Sequence, residues 1–136
     1  MRSTLVAVCL CVTALGCGRV RYEQRACPSD TLQVGSDEAG PVFCIERVER
    51  GIEEQHLAEK NCWDIGRRLC SASEWTSACE QLGVAMVDST DDFEWTSDRT
   101  GMLMDQAVQR GQGTCATASM APILMTPGAY RCCLGR

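Results

Sequence analysis

The sequence has little histidine, few aromatic residues and no excess of basic charge. Its one histidine, His56, excludes a metal site or a pair of proton-transfer groups built from several histidines. The chain carries 13 Lys+Arg against 18 Asp+Glu, a formal net charge of −5. Because nucleic-acid binding needs clustered basic side chains, this balance argues against a nucleic-acid partner. Aromatic residues make up 5% of the chain, so large rings cannot be the main source of stability.

The apolar run near the start of the sequence is too short to cross a membrane as a helix. It occupies residues 5–15 (LVAVCLCVTAL), follows the basic Arg2 and ends in small residues, which is typical of a secretory signal. Residues 14–17 (ALGC) resemble a bacterial lipobox, whose cysteine is acylated and becomes the new amino terminus. We therefore predict a signal peptide over residues 1–16 and lipidation of Cys17. The alternative is a plainly secreted protein in which Cys17 is free or disulfide-bonded.

The rest of the chain is predicted to be a tether followed by one domain. Residues 17–41 are assigned to the lipidated amino terminus and a polar tether without periodicity, and residues 42–136 to the folded domain. A length of 136 residues does not favour two domains.

The sequence also lacks the Cys-x-x-Cys spacing common in metal sites, although it is rich in cysteine. Loss of Cys9 and Cys11 with the signal peptide, and use of Cys17 for lipid, leave 11 − 3 = 8 cysteines. They are Cys27, Cys44, Cys62, Cys70, Cys79, Cys115, Cys132 and Cys133. An even number in an exported chain predicts structural disulfides, but eight cysteines allow 105 pairings and the residues alone do not choose among them.

Local patterns predict two helices and several short strands. Residues 52–64 begin with acidic side chains and lack glycine and proline, which favours a helix that Gly66 stops. Ser71 and Glu74 form a capping box, and the apolar positions behind it share one face of a second helix that ends at Gly83. Strands are predicted at residues 42–48, 84–87, 93–97, 107–110 and 129–134. The predicted fold class is therefore α+β.

Three ordered stretches carry a resemblance to a known family. They are residues 66–69 (GRRL) with 74–79 (EWTSAC), residues 94–98 (EWTSD) and residues 130–132 (YRC). They resemble the Gly-Lys-Arg-Leu-Pro-Thr-Glu-x-Glu-Trp, Trp-Glu-Trp-Thr-Ser-Asp and Gly-Phe-Arg-Cys runs of the formylglycine-generating enzyme (sulfatase-modifying factor) family. Residues 43–47 (FCIER) are similar to the family's first strand. The resemblance covers residues 42–134 and implies a minimal, disulfide-rich C-type-lectin-like domain.

The resemblance does not extend to the family's catalytic residues. Its oxidase members use two cysteines, a few residues apart after an Arg-Gly-Gly-Ser run, to bind copper and the substrate thiol. Here residues 110–114 (RGQGT) lead directly to Cys115, which matches a structural cysteine of the family. Another branch binds iron through three histidines, which His56 alone cannot do. We therefore predict no catalytic residue, and the alternative is a metal-dependent oxidoreductase of this family that uses other residues.

The resemblance also implies a disulfide pairing. Cys62 and Cys132, and Cys79 and Cys115, match cysteines that are bridged in the family. Cys70 and Cys133 depart from the family pattern and form the economical third pair, because the first bridge already brings their segments together. Cys27 and Cys44 remain for the fourth. Neighbours in a strand point to opposite faces, so Cys132 and Cys133 can serve different partners.

Other candidate residues are weighed against structural roles. Asp88, Asp91, Asp92 and Asp98 surround the predicted strand at residues 93–97, near which the family binds calcium. Calcium takes about six to eight oxygens, and this cluster offers only a few carboxylates, so a solvated acidic turn is favoured. We therefore predict no cofactor. Calcium is the open alternative.

The remaining candidates are assigned to structure. Trp75 and Trp95 are predicted to support the core rather than to stack on a sugar or peptide. Glu74 is explained by its cap, and Arg67 and Arg68 by a surface role. The sequence therefore predicts an exported bacterial lipoprotein, anchored on the outer-membrane or periplasmic side. Its domain is predicted to be a non-catalytic binding or structural module for an unknown protein or glycan ligand.

Overall fold

The structure of the protein, a computed structural model, describes residues 26–36 and 42–135. The predicted signal peptide and the predicted lipidation at Cys17 lie outside these residues. The described strands are β1 Thr31–Val34, β2 Phe43–Glu46, β3 Arg50–Glu54, β4 Arg68–Leu69, β5 Glu94–Thr100, β6 Gln106–Arg110, β7 Ala118–Pro122, β8 Pro127–Tyr130 and β9 Cys132–Gly135. The described helices are α1 Gln55–Asp64 and α2 Ala72–Leu82. The predicted α+β class, with two helices and several short strands, is confirmed for this part of the chain.

The strands form two sheets, and the last two strands, β8 and β9, lie one in each sheet. The first sheet has the order β1-β2-β9-β4 and is antiparallel throughout. The second has the order β3-β8-β5-β6-β7, in which only β5 and β8 run parallel. The buried Arg131 separates β8 from β9. The chain therefore passes from the second sheet to the first at this one residue.

The buried apolar residues form two clusters, one beside α2 and one beside α1. Around the first sheet and α2 lie Val34, Phe43, Ile45, Cys70, Trp75, Ala78, Cys79, Met86 and Cys133. The second cluster consists of residues of α1 and the second sheet, together with Leu69 of β4 and Cys132 of β9: Ala58, Cys62, Leu69, Trp95, Ala107, Ala121, Tyr130 and Cys132. Cys132 and Cys133 thus enter different clusters, as the alternation of side chains along a strand requires.

Four disulfides link these elements. They join Cys27 to Cys44, Cys62 to Cys132, Cys70 to Cys133 and Cys79 to Cys115, which are the same four pairs that the sequence analysis gives. Both helices are therefore covalently attached: α1 to β9, and α2 to the segment before β7. Disulfides of this number are typical of proteins that fold outside the reducing cytosol.

The helix α2 follows its sequence signals closely. The Ser71 side chain accepts from the Glu74 N–H, and the Glu74 side chain accepts from the Ser71 N–H 2.9 Å away, so the predicted capping box is confirmed. The carboxylate of Asp98 accepts from the Ala72 N–H and adds a third contact at this helix start. Trp75, on the predicted apolar face, is fully buried.

The helix α1 begins three residues later than predicted. Residues 52–54 belong to β3, which pairs with β8, and the buried Trp95 indole Nε1 donates to the Glu53 carbonyl at 3.0 Å. These long-range hydrogen bonds override the local helix preference of the acidic residues. As a result, the first turn of α1 contains no acidic side chain.

The other differences also arise from long-range contacts. The predicted strand at residues 84–87 is a turn with a single bridge, Val48 to Val87, and Arg131 donates to the Val87 carbonyl there. The predicted strand at residues 129–134 is divided into β8 and β9, because its two halves pair in different sheets. Residues 31–34, assigned to the tether, form β1 against β2.

Neither described helix could cross a membrane: α1 has 10 residues and α2 has 11, and neither combines the needed length with apolar character.

Candidate functional site

An open groove of about 510 Å³ runs along α1 and is the candidate binding site. We call it the α1 groove. It is lined by His56, Glu59, Lys60 and Trp63 of α1, by Arg68 and Leu69 of β4 and by Ser97 of β5. The four α1 residues recur at three- and four-residue spacing, which places them on one face of a helix. The groove volume lies within the range of roughly 300–1,000 Å³ that is usual for small-molecule sites.

Trp63 is the most unusual residue of this groove. Its residue surface is 76% exposed, whereas Trp75 and Trp95 are fully buried. The neighbouring Cys62 is held to Cys132 in the interior, so the helix beneath Trp63 is fixed in place. Trp63 is therefore displayed by a rigid support and not by a loop.

The charged side chains that line the α1 groove already have partners of opposite sign. Glu59 accepts from Arg99 at 2.5 Å, and Lys60 donates to Asp64 at 2.5 Å. Arg68 forms an ion pair with Glu74, the α2 capping residue.

His56, the residue that excludes a multi-histidine centre, also lines this groove. Its Nδ1 lies 3.5 Å from the Glu54 carboxylate. The structure gives this Nδ1 no hydrogen-bond partner among the residues that it describes. The ion pairs balance the charges of Glu59, Lys60 and Arg68, while most of the groove surface is apolar.

Of the two arginines assigned to the surface, Arg68 is exposed but Arg67 is not. Arg67 keeps only 12% of its side chain exposed and pairs with Asp30 and with the buried carboxylate of Glu46. A surface role for Arg67 is therefore wrong, because the buried Glu46 needs charged partners. Burial alone would raise the pKa of Glu46, but hydrogen bonds from Arg50 and the Cys132 N–H hold this pKa below its ordinary value.

A second charged group lies away from the α1 groove. The carboxylate oxygens of Glu49, Asp91 and Asp92 lie within 4.8 Å of one another. Burial, followed by the charges of Asp92 and Asp91, raises the pKa of Glu49 to about 7. Burial and the neighbouring Asp91 also raise the pKa of Asp92. We call this group the acidic cluster.

The acidic cluster overlaps only in part with the predicted one. Asp98 is not a member, since its carboxylate caps α2 at Ala72, while Asp88 acts on the cluster through its charge. Glu49 was missed because it lies far from the aspartates in sequence. Near the cluster, Arg131 and Glu94 form a fully buried ion pair, and burial raises the pKa of Glu94 against the opposing charge of Arg131.

The acidic cluster does not by itself meet the requirements of calcium. The buried oxygens Glu49 Oε2 and Asp92 Oδ1 have no hydrogen-bond partner, as a cation ligand would need. However, three carboxylates supply fewer than the about six to eight oxygens that calcium takes. The positive charge of Arg131 also acts on Glu49 and Asp92, where it partly opposes the rise in their pKa values. The cluster therefore already has a cationic neighbour. Calcium therefore stays the open alternative to the prediction of no cofactor.

The other residues considered from the sequence, Trp75, Trp95 and Cys115, belong to the core or to a disulfide. Trp75 and Trp95 are buried, which confirms their predicted role as core supports. Cys115, the cysteine closest to the family's catalytic segment, is bonded to Cys79.

Comparison of the chain with models of known protein families finds no match, and a search of curated proteins finds none either.

Proposed function

We propose that this chain is an exported, lipid-anchored module that binds a ligand and does not catalyse a reaction. In this proposal its domain is a degenerate relative of the formylglycine-generating enzymes. The observation that carries the proposal is that all eight cysteines of residues 26–36 and 42–135 are in disulfides. The family's oxidases need two reactive cysteines close together, and this part of the chain offers no such pair.

The segment that would hold the catalytic pair supports the same proposal. Residues 110–114 lead directly to Cys115, and Gly111 donates to the Thr117 carbonyl in a short turn there. Cys115 is tied to α2 through Cys79. Residues 110–115 therefore contain no additional loop with two cysteines.

Incubation of the copper-loaded, disulfide-intact protein with a sulfatase peptide tests the proposal. We expect no conversion of the peptide cysteine to formylglycine by mass spectrometry. The same peptide with serine in place of that cysteine is the matched control. Conversion of the cysteine peptide alone would overturn the proposal.

The second candidate function is a metal-dependent oxidoreductase of the same family, for which the buried unpartnered oxygens of Glu49 and Asp92 are the supporting observation. An oxidoreductase would retain copper or iron at one ion per chain after purification. Elemental analysis of the purified protein and of a Glu49→Gln variant separates the two candidates, because only bound metal at the acidic cluster would fall in the variant.

A further inference from the structure

The strand β7 is an edge of the second sheet and carries no charge. Among the described strands it pairs with β6 alone. Residues 111–130, which include β7, contain no Lys, Arg, Asp, Glu or His. Natural sheets keep their edges from pairing with other chains by charged side chains, bulges or proline. Of these devices β7 has only Pro122, at its last position, so the rest of the strand is open to another strand.

The register of β7 shows which of its backbone groups face the open side. At one end of the β6–β7 pairing, the Ile123 N–H donates to the Asp105 carbonyl at 3.0 Å. Successive residues of an antiparallel strand bond alternately to one side and to the other. The odd-numbered residues of β7 therefore bond to β6, whereas Ala118 and Met120 direct their N–H and C=O groups to the open side. Pro122 faces the same side but has no N–H to donate.

Large apolar side chains are exposed beside this edge. The loop between β5 and β6 adjoins the loop between β7 and β8, because the hydrogen bond from Ile123 to Asp105 joins them. Six residues of these loops and of β7 are each more than half exposed, and we call them the apolar patch: Met102, Leu103, Met104, Met120, Leu124 and Met125. They expose roughly 900 Å², whereas the largest apolar patch of a typical monomer is about 300–600 Å².

Charge and area favour a second copy of this chain as the occupant. The net charge of −5 repels copies from one another, so residues 111–130 are the part of the surface at which two copies can approach without repulsion. Each partner of a standard protein interface contributes about 800 Å², and the apolar patch offers a similar area. A lipid surface fits less well, because segments that lie on membranes combine apolar side chains with Lys or Arg, and residues 101–104 and 111–130 contain neither.

We propose that two copies of this chain associate edge to edge through β7, about a two-fold axis. Ala118 of each copy lies opposite Met120 of the other, and the two residues exchange their free N–H and C=O groups. An antiparallel strand that pairs with itself needs no second kind of surface. The two Met120 side chains are then diagonal neighbours on one face of the joined sheet, within reach of each other. This association does not depend on the proposed binding function.

Sedimentation velocity of the full chain with Cys17→Ser tests the proposal. The change removes any acyl group or free thiol at position 17, so neither lipid nor a bridge through that residue can hold two copies together. We expect a reversible dimer with a dissociation constant of about 10 μM or lower. A monomer at every concentration up to about 500 μM would overturn the proposal.

Charged variants then assign the association to β7. Met120→Lys and Met120→Glu each place two like charges beside the two-fold axis and should weaken the dimer at least about tenfold. A mixture of the two variants should associate more tightly than either alone, because the neighbouring charges are then opposite. The matched control is Ile52→Lys, at an exposed residue of β3, the other edge of the same sheet, and it should remain within about twofold of the parent.

The same variants contain the results that would contradict the proposal. Unchanged dimers of Met120→Lys and Met120→Glu would exclude β7 from the contact, and so would a mixture no tighter than its components. An equal loss in Ile52→Lys would place the contact at β3. A monomer that binds phosphatidylcholine vesicles, and loses this binding in Met120→Lys, would assign the apolar patch to a lipid surface and would also overturn the proposal.

Discussion

The guanidinium of Arg131 lies 3.0 Å from the carboxylate of Glu94, and both side chains are fully buried. The same guanidinium donates to the carbonyl of Arg47 at 2.6 Å and to that of Val87. One side chain thus joins β5, the segment after β2 and the turn before β5. It does so at the residue between β8 and β9, which belong to different sheets.

Replacement of Arg131 by methionine should be strongly destabilising. It leaves the Glu94 carboxylate buried without its cation, a loss of about 3–5 kcal/mol in the free energy of unfolding. Urea denaturation measures this loss. The matched control is Lys60→Met, which breaks an exposed ion pair with Asp64 and should cost less than about 1 kcal/mol. Equal losses in the two variants would contradict the role of Arg131.

The pKa of Glu49 predicts a dependence of stability on pH. Its pKa is about 7 in the folded chain against an ordinary 4.5, so between these values the folded state holds more protons than the unfolded state. This group therefore makes the free energy of unfolding fall as pH rises from about 4.5 to about 7.

The variant Glu49→Gln removes this contribution, because glutamine does not titrate. It should be more stable than the parent at pH 8 and similar to it at pH 4, as measured by denaturation midpoints. Glu80→Gln, a change at an exposed residue of α2, should follow the parent at both pH values. A Glu49→Gln variant that is less stable at pH 8 would refute the prediction.

Removal of Cys62–Cys132 should cost more stability than removal of Cys27–Cys44. The bridges span 70 and 17 residues, so the loop-entropy model gives losses of about 4 and about 3 kcal/mol. Cys62 and Cys132 are also fully buried, which adds a packing loss on their replacement. Urea denaturation measures the loss of stability when both cysteines of each bridge are replaced by alanine. A larger loss on removal of Cys27–Cys44 would contradict the prediction.

The cap of α2 should contribute measurably to stability. Ser71→Ala removes the side-chain acceptor for the Glu74 N–H and should cost about 1 kcal/mol. Ser77→Ala, on the same helix but away from the cap, should change stability by less than about 0.5 kcal/mol. Thermal unfolding followed by circular dichroism measures the stability of both variants. An equal loss of stability in the two would contradict the role of the cap.

Lipidation of Cys17 predicts attachment to membranes. Intact-mass analysis of the membrane fraction should show an acylated chain that begins at this cysteine. Cys17→Ser should move the exported protein to the soluble fraction while the four disulfides still form. An unmodified parent chain in the soluble fraction would disprove the lipid anchor.

Elements with local signals were predictable, and elements fixed by distant partners were not. The capping box of α2 lies within four consecutive residues, so the sequence displays it completely. The start of α1 depends instead on pairing of β3 with β8, whose partners are more than 70 residues away. Likewise, the two-residue β4 exists because it pairs with β9.

The candidate sites show the same division. The aspartates at residues 88–92 were recognised from sequence proximity, whereas Glu49 joins them only through the fold. The α1 groove was missed, although a signal existed: His56, Glu59 and Lys60 precede Trp63 at helical spacing. A tryptophan in such a polar stripe cannot face the core and must lie at the surface.

If the chain is exported as proposed above, the position of Cys132 and Cys133 determines when the domain can close. The chain then emerges in order from its amino end, so Cys62 and Cys70 have no partner until 70 and 63 further residues have emerged. The middle strands β8 and β9 arrive in the same late portion. Folding therefore follows passage of nearly the whole described chain. During that interval the thiols of Cys62 and Cys70, and that of Cys79 until Cys115 emerges, would be open to thiol–disulfide exchange.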